Sequence, residues 1–404
     1  MKNSMDVLSK RIKNLSESAT LEMARKSREL KEQGVDVINL SIGEPDFNTP
    51  DCIKQAAIDA INDNFTHYTP VSGTMELRKA IAKKLKEENH LDYTPQQIVV
   101  SNGAKQSIAN AILCLVNPGD EVIVPSPFWV SYPEIVKLAL GKMVTVNATI
   151  EQDFKITPGQ LENAITPKTK VFMINSPSNP TGSIYSRDEL KGLADVLAKY
   201  DDIYIISDEI YEYINYNSHH ESIAQFEAIR DRVILVNGVS KGYAMTGWRI
   251  GYMAASLEIA KACDKLQGQV TSGPSSISQQ ASLCAMNSLN CASKDVDMMV
   301  QAFRRRRNLV IRMLEEIPGI ITNNPPGAFY IFPNVKHYYG RTFGDFTINT
   351  GDDLCLYLLE HAHVAIVPGA SFGNPNCVRI SYATSSEKLT EALKRMRVAL
   401  EHLT

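Results

Sequence analysis

"VILVNGVSKGYAMTGWRIGY", Val233 to Tyr252, is the stretch on which the reading of the chain turns. Its opening residues, Val233 to Val236, form an apolar run closed by Asn237 and Gly238, as expected of a strand covered on both faces. Just past that run lies Lys241, and Arg249 follows eight residues later. A lysine and an arginine at the mouth of a buried strand raise the question of what they face.

Outward from this stretch, six more short β-branched runs share its character: "QIVVSN", "DEVIVPSP", "KMVTVNA", "TKVFMINSP", "IYIISDE" and "RIGYMAAS". Helical patterns follow several of them, over Ala104 to Leu115, Pro133 to Leu140 and Arg187 to Lys199. Runs that are apolar throughout predict an α/β fold with a mostly parallel seven-stranded sheet flanked by helices. In such sheets ligands sit at loops beyond the carboxyl ends of the strands. After Ala255 the pattern turns to long helices. Beyond Pro325 comes a smaller α/β unit built from "GAFYIFPNV", "DDLCLYLLEHA", "VAIVPG", "CVRISYAT" and a last helix. The expected division is an arm and part of the small domain over 1–45, a large domain over 46–300 and a small domain over 301–404.

The bulk composition excludes several classes. With 404 residues, two domains are expected. At 44% apolar and 22% charged, with a net charge of −3, the chain suits neither nucleic acid nor an anionic membrane. Its one basic run, Arg304 to Arg307, has helical spacing and reads as a solvated face. Seven scattered cysteines without a CxxC pair argue against a disulfide framework or a zinc site and fit a reducing, cytoplasmic setting. No secretory signal and no membrane-length apolar run is present. "HAH" at His361 to His363 is expected on the surface.

The strand ends carry the chemistry. Gly103 and Ala104 in "SNGAKQS" stand where a strand becomes a helix, whose free N–H groups and positive dipole suit an anion or an ordinary turn equally well. Lys105 opposes that dipole, so another group must need its charge. Trp129 in "SPFWVSYP" suits packing or stacking on a flat ligand. Asn179, ahead of a proline, is held extended and can aim its amide. Asp208 and Glu209 directly follow a buried run, as an ion pair, a helix cap or a functional carboxylate. Gly238-Val239-Ser240-Lys241-Gly242 also matches the GxSxG elbow of α/β-hydrolases, with Asp345 and His361 as later triad candidates. The glycines at 242, 247 and 251 make a poor helix after Ser240, and that reading leaves Lys241 and Arg249 unexplained.

A lysine, an arginine, a carboxylate, an asparagine and an aromatic ring on separate strand ends suit pyridoxal 5'-phosphate, which takes a lysine for its Schiff base and an acid for its ring nitrogen. The chain resembles the class I aminotransferases of fold type I, most of all the bacterial and plastid-type aspartate aminotransferase (aspartate/prephenate aminotransferase) branch. The resemblance runs from "LSIGEPDFNTP" through "HYTPVSG", "SNGAKQS", "SPFWVSYPE", "NSPSNPTG" and "SDEIYE". It continues through "NGVSKGYAMTGWRIGY" and "GAFY" to "VRISYATS".

The resemblance implies that Lys241 carries the cofactor and then acts as general base. Asp208 would pair with the ring nitrogen, Tyr211 and Asn179 with the phenolic oxygen, and Trp129 would stack on the ring. Gly103, Ala104, Lys105 and Arg249 would line the phosphate end, with Tyr68 arriving from the neighbouring subunit of a homodimer. Many relatives carry a phosphate-binding serine three residues before the lysine; here that place is Gly238, and Ser240 is the substitute candidate. Arg379, Asn179 and the Gly43 N–H would grip the substrate α-carboxylate beside Trp129. Lys105, Ser18 and Thr20 would read a second carboxylate. No metal is implied. The activity implied is ping-pong transamination of aspartate with 2-oxoglutarate to oxaloacetate and glutamate. Prephenate, as amino acceptor giving arogenate, is an alternative. Another transaminase, a β-lyase or a decarboxylase on the same cofactor site also stays open, and a cofactor-binding transcription regulator is a more distant possibility.

Overall fold

A computed structural model describes residues 7–217, 219–287 and 292–404; Cys291 lies outside them. Each of the seven apolar runs is a strand of one sheet: β1 (Ile98–Ser101), β2 (Glu121–Ser126), β3 (Lys142–Asn147), β4 (Thr169–Asn175), β5 (Tyr204–Asp208), β6 (Val233–Gly238) and β7 (Gly251–Ala254). Their order is β1-β7-β6-β5-β4-β2-β3. The central pairs are parallel, as expected. Every residue of β6 and β7 is buried, each apolar side chain contributing about 1.5–3 kcal/mol. By contrast β3 is an edge strand and stays largely open to solvent.

Strand β7 runs antiparallel to both β6 and β1. The connection Val239–Ile250 contains turns and one short 3-10 segment, Thr246–Trp248, but no α-helix to carry a crossover. The chain therefore doubles back beside β6. This reversal returns Arg249 to the sheet edge that Lys241 has just left.

The helices follow local signals. Arg187–Leu197 starts at a Ser186/Glu189 capping box, and Ala104–Leu115 spans the expected residues after Gly103 at φ 80°. The middle pattern begins slightly earlier than expected, at Ser131–Leu138. Apolar clusters cover both faces of the sheet. Another cluster joins Met23, Val37 and Leu40 of the N-terminal segment to Phe329, Leu354 and Leu393. There Ile38–Asn39 pairs with Val364–Ala365, and Val378–Ser381 lies between Val367–Pro368 and Tyr330–Ile331.

Two surface expectations change. Arg306 is not a solvated side chain: it forms a bidentate pair with Asp46 at 2.7 and 2.9 Å, and Arg307 donates to the Pro325 carbonyl. Cys52 is disulfide-bonded, a departure from a chain of reduced thiols, whereas Cys114, Cys263, Cys355 and Cys377 are free. Among the described residues, no helix is long and apolar enough to cross a membrane, and no acidic, histidine or cysteine group could hold a metal.

Candidate active site

A cavity of about 440 Å³ opens at the carboxyl ends of β4, β5 and β6, and Lys241, Asp208, Tyr211, Asn179, Trp129, Ala104, Lys105, Ser240, Arg249, Arg379, Gly43, Ser18 and Thr20 all line it. A larger cleft of about 740 Å³ lies between the N-terminal segment and the last helix, away from these groups.

Lys241 donates to the Gly43 carbonyl at 2.5 Å. Burial lowers its pKa to about 8; Glu44 opposes this, while Arg379 and Arg249 add to it. Asp208 ends β5 and is buried. Burial pushes its carboxyl up to about 6, against hydrogen bonds from the Tyr132 hydroxyl at 2.6 Å and the Ile210 N–H at 3.3 Å. The result is a carboxylate and an amine in one dry pocket, each with its charged form disfavoured, as found where a charged ligand completes a site.

The rest of the floor is built from paired polar groups. The Tyr211 and Tyr330 hydroxyls are 2.9 Å apart. Asn175 donates to the Asp208 carbonyl at 2.8 Å and accepts the Asn179 N–H at 2.7 Å. The buried Arg379 donates to Asn179 Oδ1 at 3.1 Å and to the Ser41 carbonyl at 2.6 Å, and its guanidinium lies over the Tyr330 ring. Its Nε is buried and has no hydrogen-bond partner among the described residues. A Cβ at Gly43 would come 2.7 Å from the Tyr330 hydroxyl, so any larger residue there would displace that ring.

At the other end, the helix Ala104–Leu115 points its N-terminus into the cavity. Arg249, at φ 56°, donates from its guanidinium to the Thr246 carbonyl at 2.9 Å and to the Asn102 carbonyl at 3.4 Å. A side chain at Gly103 would overlap that guanidinium. Lys105 lies 4.8 Å over the Trp129 ring, with its pKa lowered by partial burial and by Arg249. Ser18 stands just before the helix Ala19–Glu32 at the cavity mouth with no side-chain capping bond, and the Ser16 N–H fixes that arm to Glu134 at 2.9 Å.

Gly238 has a geometric explanation. It faces Gly251 across β6 and β7, and a Cβ there would come 2.8 Å from both Gly251 Cα and the Ile250 carbonyl. Gly251 in turn backs onto Gly103 and Ala104. Three backbones meet here, so a serine at 238 has no room, while the Ser240 side chain lies at the cavity. Tyr68 is not brought into the cavity by its own chain. It is 99% exposed and sits with Thr66, His67 and Gly273–Ile277 in a separate cleft.

The hydrolase alternative fails. Ser240 leads into turns rather than a helix, and His361 lies in another cleft, against Phe343. Sequence reasoning missed Tyr132, Tyr330 and Asn175. Tyr132 had a signal, since it follows Trp129 by three residues at the start of a helix; its ring packs edge-on to Trp129 at 5.5 Å.

The residues present fit pyridoxal phosphate. A buried carboxylate, Asp208, and an amine, Lys241, share the cavity with a helix N-terminus and Arg249, which suit an anion. Fold and site together define a pyridoxal-phosphate-dependent transaminase. The model of the class I and II aminotransferases matches residues 35–396, and the chain belongs to that family.

A bifunctional aspartate aminotransferase and glutamate/aspartate-prephenate aminotransferase from Petunia hybrida is 47% identical over 97% of this chain and 82% of its own. An aspartate aminotransferase from Bacillus subtilis (strain 168) is 46% identical over 98% and 99%. Among solved structures, the aspartate aminotransferase from Rhizobium meliloti superposes with a TM-score of 0.94 at 43% identity, covering 98% of this chain and 99% of that one. The aspartate aminotransferase from Thermus thermophilus with maleate gives 0.92 at 40%, covering 98% and 100%.

Proposed function

We propose that the enzyme transfers the amino group of L-aspartate to 2-oxoglutarate, with Lys241, Asp208 and Tyr211 as catalytic residues. The observation that carries this reading is the pair of cations at opposite ends of one cavity, the buried Arg379 and Lys105 above Trp129. A dicarboxylic amino acid matches both. Bound pyridoxal phosphate supplies an electron sink for the carbanion left at the substrate Cα. Asp208 would hold a proton on the ring nitrogen by its charge, with Tyr132 keeping Asp208 oriented. Tyr211 and Asn179 would donate to the phenolic oxygen. Gly103, Ala104, Ser240 and Arg249 would bind the phosphate.

Arg379 and Asn179 would hold the α-carboxylate and so orient the substrate Cα toward Lys241. Lys241 Nζ would take the Cα proton as general base, a task its lowered pKa suits. Ser18 and Thr20, on the arm over the cavity, exclude water and complete the side-chain carboxylate site. The exposure of Tyr68 supports its reaching a second subunit, hence a homodimer. The division at 1–45, 46–300 and 301–404 and a cytoplasmic setting belong to the same reading. Prephenate is a second acceptor to test, because relatives such as the one from Petunia hybrida are named for both activities.

Lys105→Ala separates the readings of that cation. We expect kcat/KM for aspartate to fall on the order of 100-fold, the loss of a charge-assisted pair in a partly dry site, with alanine as amino donor nearly unaffected. Equal losses on both donors would refute the role.

A further inference from the structure

A second set of buried charges stands directly behind the cavity, and the catalytic groups do not use it. In Asp208–Glu212 the side chains divide. Asp208, Ile210 and Tyr211 line the cavity, while Glu209 and Glu212 turn away from it and are buried. Glu209 accepts from Ser207, Ser222 and His220 at 2.6–2.8 Å. Glu212 receives more. Lys84 Nζ, from the helix Met75–Asn89, approaches its Oε2 at 2.5 Å. The Asn89 amide donates to Oε1 and the Asn237 amide to Oε2, both at 2.6 Å. Asn237 Oδ1 in turn accepts the Gly238 N–H at 2.7 Å.

The buried Glu212 carboxylate, held by Lys84, whose side chain is 1% exposed, thus joins the residue after Tyr211 to Asn237, the residue four before Lys241. Burial pushes the Glu212 carboxyl up, but Lys84, His220 and the Lys84 and Asn89 hydrogen bonds outweigh it and hold it at about 2. Glu88 completes the charge set, 3.8 Å from Lys84 and bonded to the Tyr213 hydroxyl at 2.8 Å. Apolar packing of the same volume would often stabilise a fold as well or better. What a hydrogen-bonded pair adds is direction, and loops that aim reacting groups need direction to a fraction of an ångström.

We propose that Lys84 and Glu212 are positioning residues for the transamination, with their pair fixing the Tyr211 hydroxyl and the Lys241 loop relative to each other. The inference rests on the function proposed above. It is tested on the holoenzyme with Lys84→Met and, separately, Glu212→Gln. A positioning role predicts kcat lower on the order of 10- to 100-fold, with KM for aspartate within about threefold of wild type. It also predicts an upward shift in the pH midpoint of the bound cofactor's absorbance, because Tyr211 no longer faces the phenolic oxygen squarely.

Thermal unfolding of the cofactor-free variants reports folding independently of activity. A folded variant with wild-type kcat and wild-type spectral midpoint would overturn the proposal. So would failure of both variants to fold, which would make the pair a folding element only. A wild-type protein without any lysine-bound cofactor absorbance would sink the functional reading itself, a result distinct from either.

Discussion

Lys241→Ala is expected to lose turnover by roughly 10⁴-fold or more, since one amine supplies both the covalent attachment and the proton transfer. The cavity holds two lysines, and only Lys241 faces Tyr211 and the Gly43 carbonyl. Lys105 is engaged over Trp129 at the opposite end. Borohydride reduction followed by peptide mass analysis gives the check. The wild type should carry the reduced cofactor on the peptide containing Lys241, and the variant should carry none. A variant that retained the adduct, or kept kcat within about tenfold of wild type, would move the chemistry to another amine.

Asp208→Asn is expected to separate function from stability. Without the carboxylate, the ring nitrogen loses the charge that keeps it protonated, and kcat should fall on the order of 10³-fold. The cofactor-free protein should become more stable at neutral pH. The folded-state pKa of Asp208 is raised to about 6 from 3.8, so the folded protein holds the proton longer than the unfolded chain does. That contribution is fully present below the unfolded value and is lost as pH rises through about 6. Above that, the buried charge, only partly offset by Lys241, costs up to about 3 kcal/mol. Asparagine has no such charge and still accepts from Tyr132. Urea unfolding of cofactor-free wild type and variant should show a gap at about pH 8 that shrinks at about pH 5. A gap of the opposite sign at the higher pH would contradict the electrostatic reading.

Much of the site was legible because its groups lie on strand ends, where apolar runs mark the sheet and the next few residues mark its edge. Lys241, Asp208, Asn179 and Trp129 stand out in that way. Other features depend on pairing between distant segments. The antiparallel course of β7 follows from a helix-free connection, and it explains both the approach of Arg249 to Asn102 and the glycine at 238. Tyr330 and Tyr132 look like core aromatics in sequence; only their partners, Tyr211 and Asp208, show their orientation. The pair of Lys84 and Glu212 joins residues 128 positions apart, and no periodicity reports such a contact. Arg306 read as solvated because its partner Asp46 lies far away in the chain.

The most direct test of transamination gives the cofactor-loaded enzyme aspartate with no oxo acid present. A single equivalent of oxaloacetate per chain should form, after which the reaction should stop until 2-oxoglutarate is added. Continuous release of pyruvate, ammonia or carbon dioxide without an acceptor would contradict the account and assign the same site to a lyase or decarboxylase.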